Sequence, residues 1–288
     1  MRKKIIVSGC SFTEKNFKSF SSPELDCSWT KWPELLGEKF NMDVINLGFS
    51  GAGNRYILQT LIETIERTPK NEIGLVIAAW SQSNRDDYQK YANINKKFYN
   101  EKYLKNFEWK NKRVERLGDV FYWVRETCLF YITLQNICKR YNLNFFQFQM
   151  ISLFDGWING LSKTDFEVVN NLNNPNFEKR YKYKGDRIKD WNTLAKLMLE
   201  YEQFIDLNHF IGWPTLYLLN GFTIEEKTLM KRVLHSYKNK EGRNVQSFSQ
   251  KNLREFLVSK YDYHPNKKGH ERIAEFLYER MEPRISTQ

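Results

Sequence analysis

The sequence predicts an α/β domain organised around a central parallel sheet. Strand-like apolar runs alternate with helix-period segments through about the first half of the chain, the pattern of a sheet flanked by helices. The strongest run, Ile73 to Trp80, is apolar at consecutive positions, as expected of a parallel strand covered on both faces. Near the end of the chain, Ile273, Phe276, Leu277 and Met281 make an apolar stripe at helical spacing.

Lys4 to Ser8 is a short apolar run closing on Gly9, which reads as a buried strand entering a turn. The turn carries G-C-S-F-T at 9–13, so Ser11 falls at the carboxyl edge of the sheet, where open α/β sheets bind ligands. A helix following it would add N-terminal amides that stabilise negative charge near the hydroxyl. On this segment alone the plainer reading of Ser11, a turn or N-cap residue, is favoured. Cys10 is a rival nucleophile, more reactive than serine when ionised, but its position directs it away from the side Ser11 uses.

Trp32, Leu35, Leu36 and Phe40 recur at helical spacing, with Pro33 tolerable in the first turn. Asp43 to Leu47 is a second strand, closed by the Gly-rich turn N-L-G-F-S-G-A-G-N at 46–54, where glycines permit positive φ and close backbone approach. This turn is neither a dinucleotide fingerprint nor a Walker loop. Tyr56 to Arg67 returns to helical period through Ile57, Leu61 and Ile65. Past the third strand, W-S-Q-S-N-R at 80–85 offers Gln82, Ser83 and Asn84 as side-chain donors, and Arg85 as a partner for carboxylate or phosphate.

From about 85 to 118 the chain is polar, basic and rich in aromatics, and reads as an insertion. Val120 to Tyr141 is a long helix and Asn144 to Met150 a strand. From about 154 to 250, Asn-rich loops are interrupted by helical patterns near 190–205 and 223–237, a second insertion. With no repeat and no low-complexity linker, residues 1–288 read as a single domain carrying these two insertions. In the final motif, D-Y-H-P-N-K-K-G-H at 262–270, Pro265 biases His264 away from helix. A histidine on a rigid loop with a carboxylate beside it suits a serine nucleophile. Alone, the segment reads equally as a helix-entry loop with Asn266 as cap. His270 is expected at the surface; His209 sits in an aromatic stretch that suits a pocket wall, and His235 lacks comparable surroundings.

Composition bounds the function. Hydrophobic residues at 41% and aromatics at 16% supply a full core, which excludes wholesale disorder. The net charge of +11 invites a nucleic-acid reading, since phosphate neutralisation supplies most non-specific affinity. The basic residues are scattered, with a mild concentration only between Lys90 and Arg116, so nucleic acid stays the weaker alternative. Cys10, Cys27, Cys128 and Cys138 form no CxxC pair and no metal-ligand spacing, which points to a reducing compartment. V-S-G-C at 7–10 looks superficially like a lipoprotein signal, but the apolar stretch before it is only Ile5-Ile6-Val7 against the roughly 7–15 residues a signal needs. No window reaches the ~18 apolar residues of a membrane span. The expectation is a cytoplasmic protein with no membrane partner.

The joint order of these segments resembles the SGNH (GDSL-like) hydrolase superfamily: strand–Ser, strand–Gly–Asn, strand–polar loop, then Asp–His before a closing helix. The resemblance covers about the first 150 residues and the last thirty. It implies a flavodoxin-like three-layer α/β/α sandwich with a central parallel sheet, here with large helical and loop insertions. It also implies that Ser11 is the nucleophile, that His264 is the general base, and that Ser11 and Gly51 donate backbone N–H groups to an oxyanion. Two blocks depart from the family. G-x-N-D is replaced by S-Q-S-N, where spacing favours Ser83 and residue type favours Asn84 as the third oxyanion donor. D-x-x-H is shortened to D-x-H, which makes Asp262 the orienting acid.

The implied chemistry is ester or acyl hydrolysis that needs no metal or organic cofactor. Aromatic-rich insertions favour an O-acyl (acetyl) group on a saccharide, or another small ester, as substrate. A different class of function, an SGNH-like scaffold that binds a glycan or nucleic acid without catalysis, draws on the altered third block. Ser11 and the Asp262–His264 pair argue against it. The sequence does not fix an oligomeric state.

Overall fold

Strand β1 (Lys4–Gly9) begins a computed structural model that describes residues 2–83, 85–91, 107–112, 120–151, 197, 200, 201, 203–211, 237, 238, 244, 245, 254–259, 262 and 264–285. Helix α1 (Trp32–Phe40) and strand β2 (Asp43–Asn46) follow, then helix α2 (Asn54–Arg67) and strand β3 (Ile73–Trp80). An antiparallel pair, β4 (Asp86–Tyr91) with β5 (Phe107–Lys112), stands apart from the main sheet, inside the segment expected as the first insertion. Helix α3 (Val120–Arg140) leads to β6 (Phe145–Gln149) and the short β7 (Phe210–Ile211). A second small pair, β8 (Tyr237–Lys238) with β9 (Asn244–Val245), and helix α4 (Lys267–Ile285) follow, and short 3-10 helices at Lys70–Glu72 and Arg254–Phe256 complete the described elements.

Five strands form one parallel sheet in the order β2-β1-β3-β6-β7. Its two faces separate as strand alternation requires. Ile6, Val76, Ala78 and Trp80 pack with Ile57, Leu61 and Ile65 of α2 and with Val124, Cys128, Tyr131 and Leu134 of α3. Ile5, Val7, Leu75, Ile77 and Ala79 pack with Trp32 and Leu36 of α1 and with Ile273, Leu277 and Met281 of α4. Every residue of β3 is buried, which is why its sequence is continuously apolar. The result is a three-layer α/β/α sandwich. Its connections leave β1 in opposite directions, to β2 on one side and β3 on the other. The crevice at the carboxyl ends of β1 and β3 is therefore the topological switch point where such sheets hold ligands.

Several boundaries differ from the sequence reading. Helix α2 starts two residues early, at Asn54, because other groups satisfy its first amides: Gly53 N–H and Tyr56 N–H donate to the carboxylate of Asp87, at 2.9 and 3.1 Å. Helix α4 starts at Lys267, well before the apolar stripe, with Asn266 accepting from Gly269 N–H at 3.1 Å as its N-cap. His270 is consequently on the inner side of the first turn and only 2% exposed, contrary to the expected surface position. Most of 154–250 lies outside the described residues, including His235 and all of the helical pattern near 223–237 except Tyr237, which is in strand β8. No described helix is long and apolar enough to cross a membrane.

Candidate active site

Strand β1 delivers Ser11. Gly9 ends the strand where an added Cβ would lie 2.2 Å from Thr13 Oγ1, so only glycine allows the chain to fold back this tightly. The amides of Thr13 and Glu14 both donate to the Cys10 carbonyl, at 2.8 and 3.1 Å, closing the turn. Ser11 is half-buried on it, whereas Cys10 is fully buried in the core on the α1/α4 face. No helix follows Ser11 directly, so no N-terminal amides of a helix lie there; the next helix is α1. Serine side chains capture the local backbone instead, with Ser22 N–H donating to Ser19 Oγ at 2.8 Å.

The glycine block is laid directly against this turn. Leu47 N–H and Phe49 N–H donate to the Val7 and Gly9 carbonyls, extending the β1 pairing past β2. Asn46 Nδ2 donates to the Thr13 carbonyl at 2.9 Å. Gly48 makes this approach possible, since a Cβ there would lie 2.6 Å from the backbone of both Thr13 and Glu14. Gly51 has φ of 82°, the left-handed region that glycine occupies without strain. The third block is anchored at Ser81, whose N–H donates to Asn54 Oδ1 at 2.7 Å and whose carbonyl accepts from Asn54 Nδ2 and Gln149 Nε2. Ser83 is buried beside it. Asn84 lies outside the described residues, as do the side chains of most of the β4/β5 pair.

The two ends of the chain meet at His264. Its Nε2 is 2.7 Å from Ser11 Oγ, and its Nδ1 is 2.5 Å from Asp262 Oδ1. The shortened D-x-H spacing works through local turn chemistry. Asp262 Oδ1 also accepts the His264 backbone N–H at 3.0 Å, an Asx turn that folds the carboxylate onto the histidine two residues away. The loop is pinned by Val258 N–H to the His264 carbonyl and Asn266 N–H to the Phe256 carbonyl, each at 2.9 Å. Phe12 and Phe17 bracket the imidazole, with ring centroids 4.7 and 4.3 Å from its own.

Burial alone raises the carboxyl of Asp262, which is 4% exposed. Hydrogen bonds from the His264 ring, from Ser19 and from the His264 amide, together with imidazolium charge, outweigh it and hold the group at about 2. Asp262 therefore stays ionised at neutral pH. Beneath the site, His270 is pushed down to about 3 by burial and by the charges of Lys31 and His264. Its neutral Nδ1 accepts the Trp32 N–H at 3.2 Å, and Trp32 Nε1 donates to the Phe12 carbonyl at 3.1 Å. Trp32 thus connects the buried histidine to the backbone of Phe12, whose ring packs at a tilt against His264.

Of the residues expected from the sequence, the fold joins Ser11, His264 and Asp262, and describes Gly51 and Ser83 in the neighbouring blocks, while Asn84 lies outside the described residues; Ser19, Gly48, Asn54, Asp87 and the inward position of His270 were not expected. Gly48 was legible as part of the glycine cluster. The others act through contacts between distant segments, which no local pattern records. His209 lines a cavity with Lys3, Gly74 and Asn144 at the amino ends of the strands, the opposite edge of the sheet from Ser11. Among the described residues, no group of three His, Cys, Asp or Glu side chains is placed to hold a metal ion.

No protein-family model matches the sequence, and no curated protein matches it. Among solved structures, the chain is similar to a protein from Desulfitobacterium hafniense DCB-2 described as lipolytic and of the G-D-S-L family. The identity is 11%, with 96% of this chain and 99% of that chain covered, at a TM-score of 0.41. It is similar to the psychrotrophic esterase EstA from Pseudoalteromonas sp. at 12% identity, covering 99% of both chains with a TM-score of 0.41. It is also similar to a variant of Axe2, an acetyl xylan esterase from Geobacillus stearothermophilus, at 13% identity, covering 97% of this chain and 94% of that one with a TM-score of 0.36.

Proposed function

We propose that the protein is a serine ester hydrolase of SGNH type. The observation that carries this reading is the continuous hydrogen-bonded path from Ser11 Oγ through both ring nitrogens of His264 to an ionised Asp262. Such a path supports acyl transfer for a physical reason. A serine hydroxyl is a weak nucleophile until a base within hydrogen-bond reach takes its proton as it attacks. Asp262 selects the tautomer that carries a proton on Nδ1, leaving Nε2 free to act as that base, and it stabilises the imidazolium that forms.

In the proposed reaction Ser11 Oγ bonds to the acyl carbon while its proton passes to His264 Nε2. The tetrahedral intermediate collapses as the bond to the alcohol oxygen breaks, and that oxygen takes the proton from Nε2. Water, deprotonated in turn by His264, then releases the acid and regenerates Ser11. The backbone N–H groups of Ser11 and Gly51, with Asn84 or Ser83, stabilise the oxyanion, and losing one such donor typically costs about 2.7–4 kcal/mol in the barrier. No metal or cofactor takes part in this scheme. As the finer proposal, the ester is an O-acyl, in particular O-acetyl, group on a carbohydrate or another small alcohol; the segment 85–118 is rich in tyrosine and carries Trp109, side chains of the kind that pack on sugar rings.

The test is a panel of p-nitrophenyl esters and acetylated sugars assayed with wild type and Ser11→Ala. Hydrolysis that disappears in a folded Ser11→Ala protein supports the reading. Hydrolysis that survives, or no hydrolysis of any ester by wild type, overturns it.

A further inference from the structure

We infer that Ser19 is a positioning residue of the site, a fourth member of the Ser11–His264–Asp262 path that fixes the second oxygen of the carboxylate. The inference deepens the hydrolase reading and rests on it for its catalytic consequence.

Asp262 has two oxygens with different duties. Oδ1 serves His264 twice, through the ring Nδ1 and the backbone N–H. Oδ2 accepts the hydroxyl of Ser19 in a short hydrogen bond across 243 residues of sequence. Ser19 is 4% exposed and Asp262 equally so, which removes bulk water as the alternative partner. The direction of that bond is settled by the other contact of Ser19. Its oxygen accepts the Ser22 N–H at 2.8 Å, so its one proton remains for the carboxylate, which has none to give while ionised.

Two consequences follow. A carboxylate held at one oxygen swings about its Cβ–Cγ bond, whereas one held at both has a single orientation, and the imidazole is aimed by it. A donor on Oδ2 also withdraws charge from Oδ1 and weakens its grip on the imidazolium. Loss of the Ser19 hydroxyl therefore loosens the aim and makes His264 harder to deprotonate. A separate contact isolates these effects from simple loop anchoring. Ser22 Oγ pairs with Ser259 Oγ at 2.8 Å and ties the same two loops together; Ser259 Oγ accepts the Asp262 backbone N–H at 3.1 Å, so this tie meets the backbone of Asp262 and not its carboxylate.

The experiment compares full-length wild type, Ser19→Ala, Ser19→Cys, Ser19→Thr and Ser22→Ala, each carrying 15N-labelled histidine, with His264 resonances assigned by their loss in His264→Gln. In Ser19→Ala the His264 titration should move to higher pH. The kcat for p-nitrophenyl acetate should fall about tenfold, as loss of one hydrogen bond to a charged group implies, with KM little changed and the acid limb of the rate profile displaced the same way. Ser19→Thr, which keeps the hydroxyl, should restore most of both. Ser19→Cys, a near-isosteric weak donor, should fall between and supplies the comparison if the alanine variant does not fold. Ser22→Ala should lower the thermal midpoint without moving the titration. An unmoved His264 titration in both Ser19→Ala and Ser19→Cys, or an equal displacement in Ser22→Ala, overturns the inference. Ester cleavage that is absent in wild type or persists in Ser11→Ala overturns the hydrolase reading instead, and the titration still decides the role of Ser19.

Discussion

Acidification should weaken this protein through His270, and the size of the effect follows from its surroundings. The imidazole is 2% exposed, accepts the Trp32 N–H at Nδ1, and is held at about 3 by burial and by the charges of Lys31 and His264. In the unfolded chain the same group titrates near 6.5. Because the folded value is depressed, the unfolded state binds the proton first. The contribution to stability is full above pH 6.5 and is lost as the pH falls from there toward 3. Full loss corresponds to about 5 kcal/mol at 1.36 kcal/mol per pH unit, and by pH 5 about 2 kcal/mol of it is gone. Urea unfolding of wild type and His270→Asn at pH 7.5 and pH 5 measures this directly. Asparagine can keep an acceptor for Trp32 but does not titrate. His270→Asn should therefore lose about 2 kcal/mol less than wild type between the two pH values, whatever its stability at pH 7.5. Equal losses in the two proteins would show that His270 takes up its proton in the folded state, and that its depressed titration is wrong.

Four further outcomes are expected. A serine-directed phosphonate should label Ser11, and Cys10→Ala should keep most activity; labelling at Cys10 would reverse that assignment. Asp262→Asn should preserve folding and KM but lower turnover steeply, about 10⁴-fold where the tautomer is lost completely, and near-normal turnover would leave His264 without this acid. Asn84→Ala should reduce kcat more than it alters KM, as loss of an oxyanion donor does, while a larger loss in Ser83→Ala would give the role to that position. Gly48→Ala should destabilise by about 1–3 kcal/mol because its Cβ meets backbone, read as a lowered denaturation midpoint; an unchanged midpoint would mean the two blocks separate freely.

The parallel sheet was legible because its strands are covered on both faces, so Ile73–Trp80 announces itself without a partner. The strand β7 was not, because Phe210–Ile211 is a two-residue edge whose only signature is its pairing with β6. In the site, Ser11 and His264 were legible from position, each in a turn beside a regular element. The shortened spacing of Asp262 looked less secure until the Asx turn supplied its geometry, a reminder that a motif one residue short can be completed by backbone. Ser19 carried no signal in its serine-rich stretch, since its value comes from Asp262, near the far end of the sequence. His270 was misplaced for a related reason. The capped first turn of α4 rotates it inward, and the apolar stripe used to orient the helix begins only after it.

The 253 residues that separate Ser11 from His264 have a consequence for the life of the polypeptide. Ser11 leaves the ribosome 253 residues ahead of His264, and until that later segment docks it is an ordinary alcohol among many. The proposed reactivity thus arrives all at once, when the Asp262–His264 loop folds back on the Ser11 turn. A chain interrupted anywhere before Asp262 would present the proposed nucleophile without the histidine proposed to activate it. In the proposed hydrolase, synthesis and docking of the Asp262–His264 segment is itself the condition for chemistry.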